Sequence, residues 1–350
     1  MTAGPPGTPG RRPATGALLG LALGDALGFP TEFCTVAMIA DKFGPWRGME
    51  LPEPAFVTDD TQMTLAFARG LRTAMDRGPL TPLRLVRPLR DEYVEWWRSP
   101  ENNRAPGRTC MTACRLLSRP ERTWQEASQT GSKGCGANMR VAPAALAPGL
   151  TERMRGGVAQ LQAALTHGHP TGLAASDLTA YAIRLLAEGT RPGELLGLLR
   201  QYVAANRSYY HEYWLGDLWT YAQDPTPRHF TERGWDECAE VLDRIEEALR
   251  APDREADPCL ATGAGWIAEE AFATGLLCFL LFPDEPVTAL RRAAYSSGDS
   301  DSIACLTGAF AGAYLGAGAW PREWAERIEY GDELREIGGV WDGAGGGSGG

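Results

Sequence analysis

Apolar positions along this chain recur at spacings of three and four residues, and the two-residue alternation of strands is almost absent. Residues 81–98 show the pattern plainly: Leu85, Val86, Leu89, Tyr93, Val94, Trp96 and Trp97 share one broad face of a helix. A second run, Met63, Leu65, Ala66, Phe67 and Leu71, follows Thr58-Asp59-Asp60-Thr61 and predicts another. Further helices are predicted over 108–118, 152–167, 173–188, 193–206, 235–250, 263–281, 286–296, 301–317 and 321–336. Two segments carry glycine at every fourth position, Gly16, Gly20, Gly24 and Gly28 in one and Gly308, Gly312 and Gly316 in the other. Each glycine costs a helix about 1 kcal/mol relative to alanine. A bare strip on one face therefore implies a neighbour packed close enough to offset that cost. The fold class is all-α, and the two glycine-striped helices are expected to share a tightly packed centre.

Punctuation sets the expected organisation. Residues 1–13 are too poor in apolar side chains to fold and are expected to be a disordered arm. Residues 14–338 contain no fixed-period repeat and no obvious linker, which favours one helical domain. Residues 207–234, rich in Tyr, Trp, Pro and His, are read as an irregular insertion, and 339–350 as a flexible glycine-rich tail.

Composition narrows the class. With 350 residues, 44% hydrophobic and 22% charged, the chain has ample material for a core. A formal net charge of −10 argues against a nucleic-acid footprint. The eight cysteines include no Cys-x-x-Cys pair and several sit on apolar helical faces, as buried reduced thiols in the cytoplasm would. Arg11-Arg12 before an apolar run loosely imitates an export signal, but Pro13 and Asp25 interrupt it. No run approaches the ~18 apolar residues of a membrane span.

The chemistry begins at Thr58-Asp59-Asp60-Thr61. Taken alone, this is an ordinary helix N-terminus, with Thr capping and acids suited to the helix dipole. Gly298-Asp299-Ser300-Asp301-Ser302 repeats the same ligand types at the start of another helix. The combined set, Thr58, Asp59, Asp60, Asp299, Asp301 and Ser302, offers only hard oxygen donors, which favour Mg²⁺, Mn²⁺ or Ca²⁺ over zinc or copper. Four aspartates could hold one cation or two bridged ones. Gly131-Ser132-Lys133-Gly134-Cys135-Gly136 resembles an anion-binding nest of exposed N–H groups, without the ending of a nucleotide-binding P-loop. Cys135 has no base supplied to it. His167 fits a ligand-contacting or capping role. Trp266 suits stacking on a base or core packing equally. Glu32 reads as a solvated loop acid.

Together these segments resemble the ADP-ribosylglycohydrolase family. The resemblance rests on Gly16 to Gly28 with Glu32, Thr58-Asp-Asp-Thr-Gln-Met63, Gly134-Cys-Gly-Ala-Asn-Met-Arg-Val-Ala-Pro143, Thr166-His167, Gly265-Trp266 through Glu270, and Gly298-Asp-Ser-Asp-Ser-Ile-Ala304, in family order. It implies an orthogonal multi-helix bundle of that family's type, and metal-dependent hydrolysis of the glycosidic bond linking ADP-ribose to a modified side chain. Two Mg²⁺ or Mn²⁺ ions would be held by Thr58, Asp59, Asp60, Asp299, Asp301 and Ser302. Glu32, Asp60 and Asp299 would stand nearest the chemistry, and residues 131–136, His167 and Trp266 would receive the ADP-ribose. A catalytically silent ADP-ribose-binding relative, or a hydrolase of another nucleotide substrate, is the alternative. Two positions depart from the family pattern. Cys135 stands where many relatives have Asn. The stretch Arg104-Ala105-Pro106-Gly107-Arg108-Thr109 lacks the acid of arginine-directed members, so arginine specificity is not carried over.

Overall fold

A computed structural model describes residues 10–345. Ten helices matter here: α1 Pro13–Gly28, α2 Asp59–Asp76, α3 Pro82–Arg98, α4 Arg108–Leu117, α5 Glu152–Ala164, α6 Pro170–Glu188, α7 Pro227–Arg250, α8 Ala268–Leu281, α9 Ser300–Leu315 and α10 Gly331–Gly345. Among the described residues there is no strand, only two isolated bridges, Gln129 with His167 and Gly134 with Ile267. No single helix among them is long and apolar enough to cross a membrane.

The centre is the crossing of α1 and α9, and the glycine strips explain it. A Cβ added at Gly16, Gly20 or Gly24 would collide with the backbone of Gly312, Gly308 or Ala304, and the reverse holds for Gly308 and Gly312. Both helices are buried along nearly all of their length, so their apolar side chains point into core on every side. This crossing fixes the site, because Gly28 at the end of α1 packs on Ser300 and Asp301 at the start of α9.

Several boundaries differ from the sequence expectation. The predicted arm is ordered from Gly10: Arg11 donates to the carbonyls of Leu186, Ala187 and Tyr314, and Pro13 begins α1. Residues 1–9 of that arm lie outside the described residues, as do 346–350 of the tail. The rest of the predicted tail, 339–345, continues α10, where Trp341 is buried and Asp342 accepts from the N–H groups of Ala14 and Thr15. The run 321–336 is split, with Tyr330 at φ 58° between Arg322–Arg327 and α10. Helix α7 starts at Pro227 rather than 235, because Thr226 accepts from the His229 N–H and the proline suits the first turn. The remaining insertion holds short helices Glu212–Leu215 and Leu218–Tyr221. Helix α8 starts at Ala268 rather than 263, since Gly263 and Gly265 take φ of 113° and 81°.

Candidate functional site

The start of α2 is anchored from below by a residue of α1. Asp25, fully buried, accepts from the N–H groups of Thr58 and Thr61 at 3.0 and 3.1 Å and from both threonine hydroxyls at 2.8 and 2.5 Å. Burial and nearby Asp301 push its pKa up to about 7, while those hydrogen bonds favour the ionised form. With the threonines so engaged, Asp59 and Asp60 face the other way. Asp59 Oδ2 accepts from the Gly107 N–H at 3.1 Å, and Asp60 Oδ2 is buried with no hydrogen-bond partner.

The start of α9 arrives at the same place. Asp299 donates its N–H to the Ala264 carbonyl at 2.8 Å, which folds the 263–267 turn over the helix start. Asp299 caps no backbone N–H with its side chain, so its carboxylate is free to face outward. The turn after α1 supplies the third acid. Thr31 Oγ1 lies 2.6 Å from the Ala294 carbonyl, and Ser300 Oγ donates to the Gly28 carbonyl at 3.0 Å. These contacts hold the short 3-10 turn against α9 and bring Glu32 beside it. One oxygen from each of Glu32, Asp299 and Asp301 lies within 4.8 Å of the others.

Repulsion among these acids is written in their proton affinities. Burial, then Asp301, Asp59 and Asp25, push Glu32 up to about 9. Burial raises Asp59 to about 7 against the opposing Gly107 hydrogen bond. Asp60 and Asp299 are pushed well above the carboxylate range, first by burial and next by Asp301. Buried, mutually repelling, all-oxygen donors with an unpartnered Asp60 oxygen are a set that a hard divalent cation would satisfy.

These acids floor a cleft of about 380 Å³, within the range of small-ligand pockets. Gly134, Cys135, Gly136, His167, Trp266 and Ser302 complete its walls, and Ala105 to Thr109 form a rim. The other proposed residues sit further back. Thr58 is buried, its hydroxyl donating to Asp25. Ser132 bonds Thr109 at 2.9 Å behind the cleft wall. Gly131 is not among the cleft-lining residues. Lys133 turns away, its ammonium shared by Glu237 of α7 and Glu269 of α8. That pairing fastens the loop, as do the Ala268 N–H to the Lys133 carbonyl at 2.9 Å and the Cys135 N–H to the Trp266 carbonyl at 3.1 Å. The loop thus keeps an ordered shape but spends its lysine on the scaffold.

His167 is buried, with Nδ1 2.9 Å from Thr166 Oγ1 and its ring beside Gly134 and Gly136. Burial, then Arg140, lower its pKa to about 3, so it is neutral. His169 instead caps α6, accepting from the Thr171 N–H. The Cys135 thiol is held protonated by burial and the nearby aspartates, which removes nucleophile character. Trp266, 41% exposed, stacks on Phe33 at 5.3 Å and 18°. Phe33 has φ 63°, a strained conformation for a bulky residue, directly after Glu32.

Sequence reasoning passed over three contributors. Asp25 has a signal, a lone acid inside an apolar glycine-striped helix, but in the sequence it reads only as an interruption of the export-like run. Phe33 and Gly107 carried none, since an aromatic or a glycine in a loop is unremarkable until its neighbours are known.

Comparison with known proteins places this architecture. The family model described as ADP-ribosylglycohydrolase matches residues 8–346. The chain is 28% identical over 322 residues to the ADP-ribosyl-dinitrogen reductase glycohydrolase of Rhodospirillum rubrum, covering 90% of each chain. It is 27% identical over 345 residues to ADP-ribosylhydrolase ARH3 of Mus musculus, covering 90% of this chain and 86% of that one. A solved ADP-ribosylglycohydrolase-related protein complex matches with a TM-score of 0.65 over 95% of this chain and 99% of that one; its 24% identity speaks for the fold alone. With its acids gathered in one cleft of an all-α fold, the chain belongs to the ADP-ribosylglycohydrolase family and is a hydrolase of glycosyl bonds.

Proposed function

We propose that this enzyme removes ADP-ribose from a modified protein side chain and depends on divalent cations to do so. The observation that carries the reading is the meeting of Asp59 and Asp60 with Asp299 and Asp301 in one buried cleft. Asp59, Asp60, Asp299, Asp301 and Ser302 would hold two Mg²⁺ or Mn²⁺ ions, with Thr58 positioned behind them by Asp25. Divalent ions there would offset the repulsion among the carboxylates and supply Lewis acidity to the reacting oxygens.

The chain's own groups account for the rest. Glu32 stands at the edge of the acid set, where burial keeps its proton affinity above that of an ordinary carboxylate, suiting it to handle the leaving-group proton. The surrounding carboxylates stabilise positive charge developing at the anomeric carbon. Gly134 to Gly136, closed from behind by Lys133, and neutral His167 form the wall offered to the diphosphate side. Trp266 and Phe33 offer flat apolar surface to a ring. Eight free thiols, most of them buried, fit a reducing compartment, and the cytoplasm is the location proposed.

The test is to incubate the protein with peptides ADP-ribosylated on arginine or on serine, with and without Mg²⁺, and to follow free ADP-ribose by chromatography. Release from one peptide class, requiring Mg²⁺ and lost in Asp299→Ala, is expected. No release from either, or release unaffected by Asp299→Ala or chelator, contradicts the proposal.

A further inference from the structure

The strongest feature outside the cleft is a basic surface that begins at its rim. Residues 81–122 contain nine arginines against five carboxylates, in a chain whose formal net charge is −10. Arg104 is taken up by Glu329. Elsewhere Arg69 holds Glu333 and Arg207 holds Asp236, while exposed arginines without a carboxylate, such as Arg77, Arg191 and Arg244, are scattered along the chain. Arg87, Arg90, Arg98, Arg108, Arg115 and Arg119 instead fall within one stretch of two helices and the turn that follows, and among the described residues no carboxylate lies within 4.0 Å of any of them. Surface arginines left unpaired in an acidic protein keep a local positive field that the net charge conceals.

The geometry gives this field a direction. Arg87 and Arg98, three helical turns apart on α3, line a surface groove of about 730 Å³. Arg90 lies between the two helices and donates to the carbonyls of Leu117, Arg119 and Arg122, bracing the end of α4 against α3. Helix α4 then links groove to cleft. Leu117 lines the groove at one end, and Arg108 lines the cleft at the other. Arg108 and Arg115, seven residues apart, share an exposed face between them. The helix spans about 15 Å, which an extended peptide covers in roughly five residues.

We infer that the α3–α4 groove is a docking surface for an acidic polypeptide segment, lying about five or more residues from the side chain presented to the cleft. This rests on the reading that the substrate is a modified polypeptide. A peptide fits better than a nucleic acid. Val86, Val94 and Leu117 give the groove an apolar floor, and Asp91 and Glu95 interrupt the arginines, which opposes a continuous phosphate backbone. Interspersed acidic and apolar side chains meet both features.

The test compares two ADP-ribosylated peptides that differ only in carrying Asp and Glu, or Ser and Asn, five to eight residues from the modification. At low salt the wild-type protein should show kcat/KM about tenfold higher for the acidic peptide, with the advantage fading as salt rises. In Arg87→Glu/Arg98→Glu/Arg115→Glu, whose substitutions are exposed and outside the cleft, the advantage should vanish while the neutral peptide is cleaved as before. Fluorescence anisotropy of the unmodified acidic peptide reads the groove without turnover. Binding to the wild type and not to the triple variant supports the docking surface even if neither modified peptide is cleaved, an outcome that would sink only the proposed linkage to arginine or serine. Equal kcat/KM for both peptides with no salt-dependent binding overturns the inference. So does tighter binding of an oligonucleotide of equal charge.

Discussion

Asp25 and Asp60 are both buried aspartates beside the same helix start, yet their surroundings are opposite. Asp25 has four protein donors on its carboxylate, from the backbone and hydroxyls of Thr58 and Thr61. Asp60 has an oxygen with none, and its near neighbours are other acids. The first carboxylate is finished by the fold. The second has an oxygen that no donor of the fold reaches, as the proposed cation site requires. What separates a structural acid from a proposed cation ligand here is the supply of donors, since residue type, depth and position are shared.

Substitutions should divide along that line. Asp299→Ala, on the open side, is expected to lower kcat by about 10³-fold, the scale of ~4 kcal/mol of transition-state stabilisation. Its metal-free thermal midpoint should hold or rise, because a buried acid whose ionisation its neighbours oppose has been removed. Asp25→Ala is expected to do the reverse in stability, costing about 3 kcal/mol by urea denaturation, since it strands two buried N–H groups and two hydroxyls. Equal stability losses in the two variants would erase the distinction.

Gly24→Ala probes the frame that presents both acids. Its new methyl would press on the Ala304 backbone, so a loss of about 1–3 kcal/mol is expected. The smallest effect is expected at Asp177, an intermediate case that accepts from Gln160 and Tyr202 at 2.8 Å each. Burial raises its pKa to about 6. A raised folded-state value contributes stability that is present below the unfolded value and lost as pH rises through about 6. The wild type should therefore lose stability relative to Asp177→Asn between pH 5 and 7. A constant difference between their urea midpoints over that range would count against it.

How much of this could be read from sequence follows from range. The glycine strips and the two acidic helix starts are local patterns with a physical reason attached, and their periodicity and donor chemistry are visible without coordinates. The role of Lys133 is not local. A lysine in a glycine-rich loop reads as an anion contact, and only the arrival of Glu237 and Glu269 from helices more than 100 positions away turns it into a brace. Asp25 was obscured for a related reason, because its donors belong to another segment. Helix limits failed where backbone conformation overrode side-chain pattern, at Gly263 and Gly265 and at Tyr330.

Anomalous diffraction from crystals soaked in Mn²⁺ tests the shared acid site most directly. Strong manganese peaks are expected between the Asp59/Asp60 and Asp299/Asp301 carboxylates, lost in crystals of Asp299→Ala. Manganese bound only elsewhere, or an empty cleft at saturating Mn²⁺ in a protein that still cleaves its substrate, would contradict it.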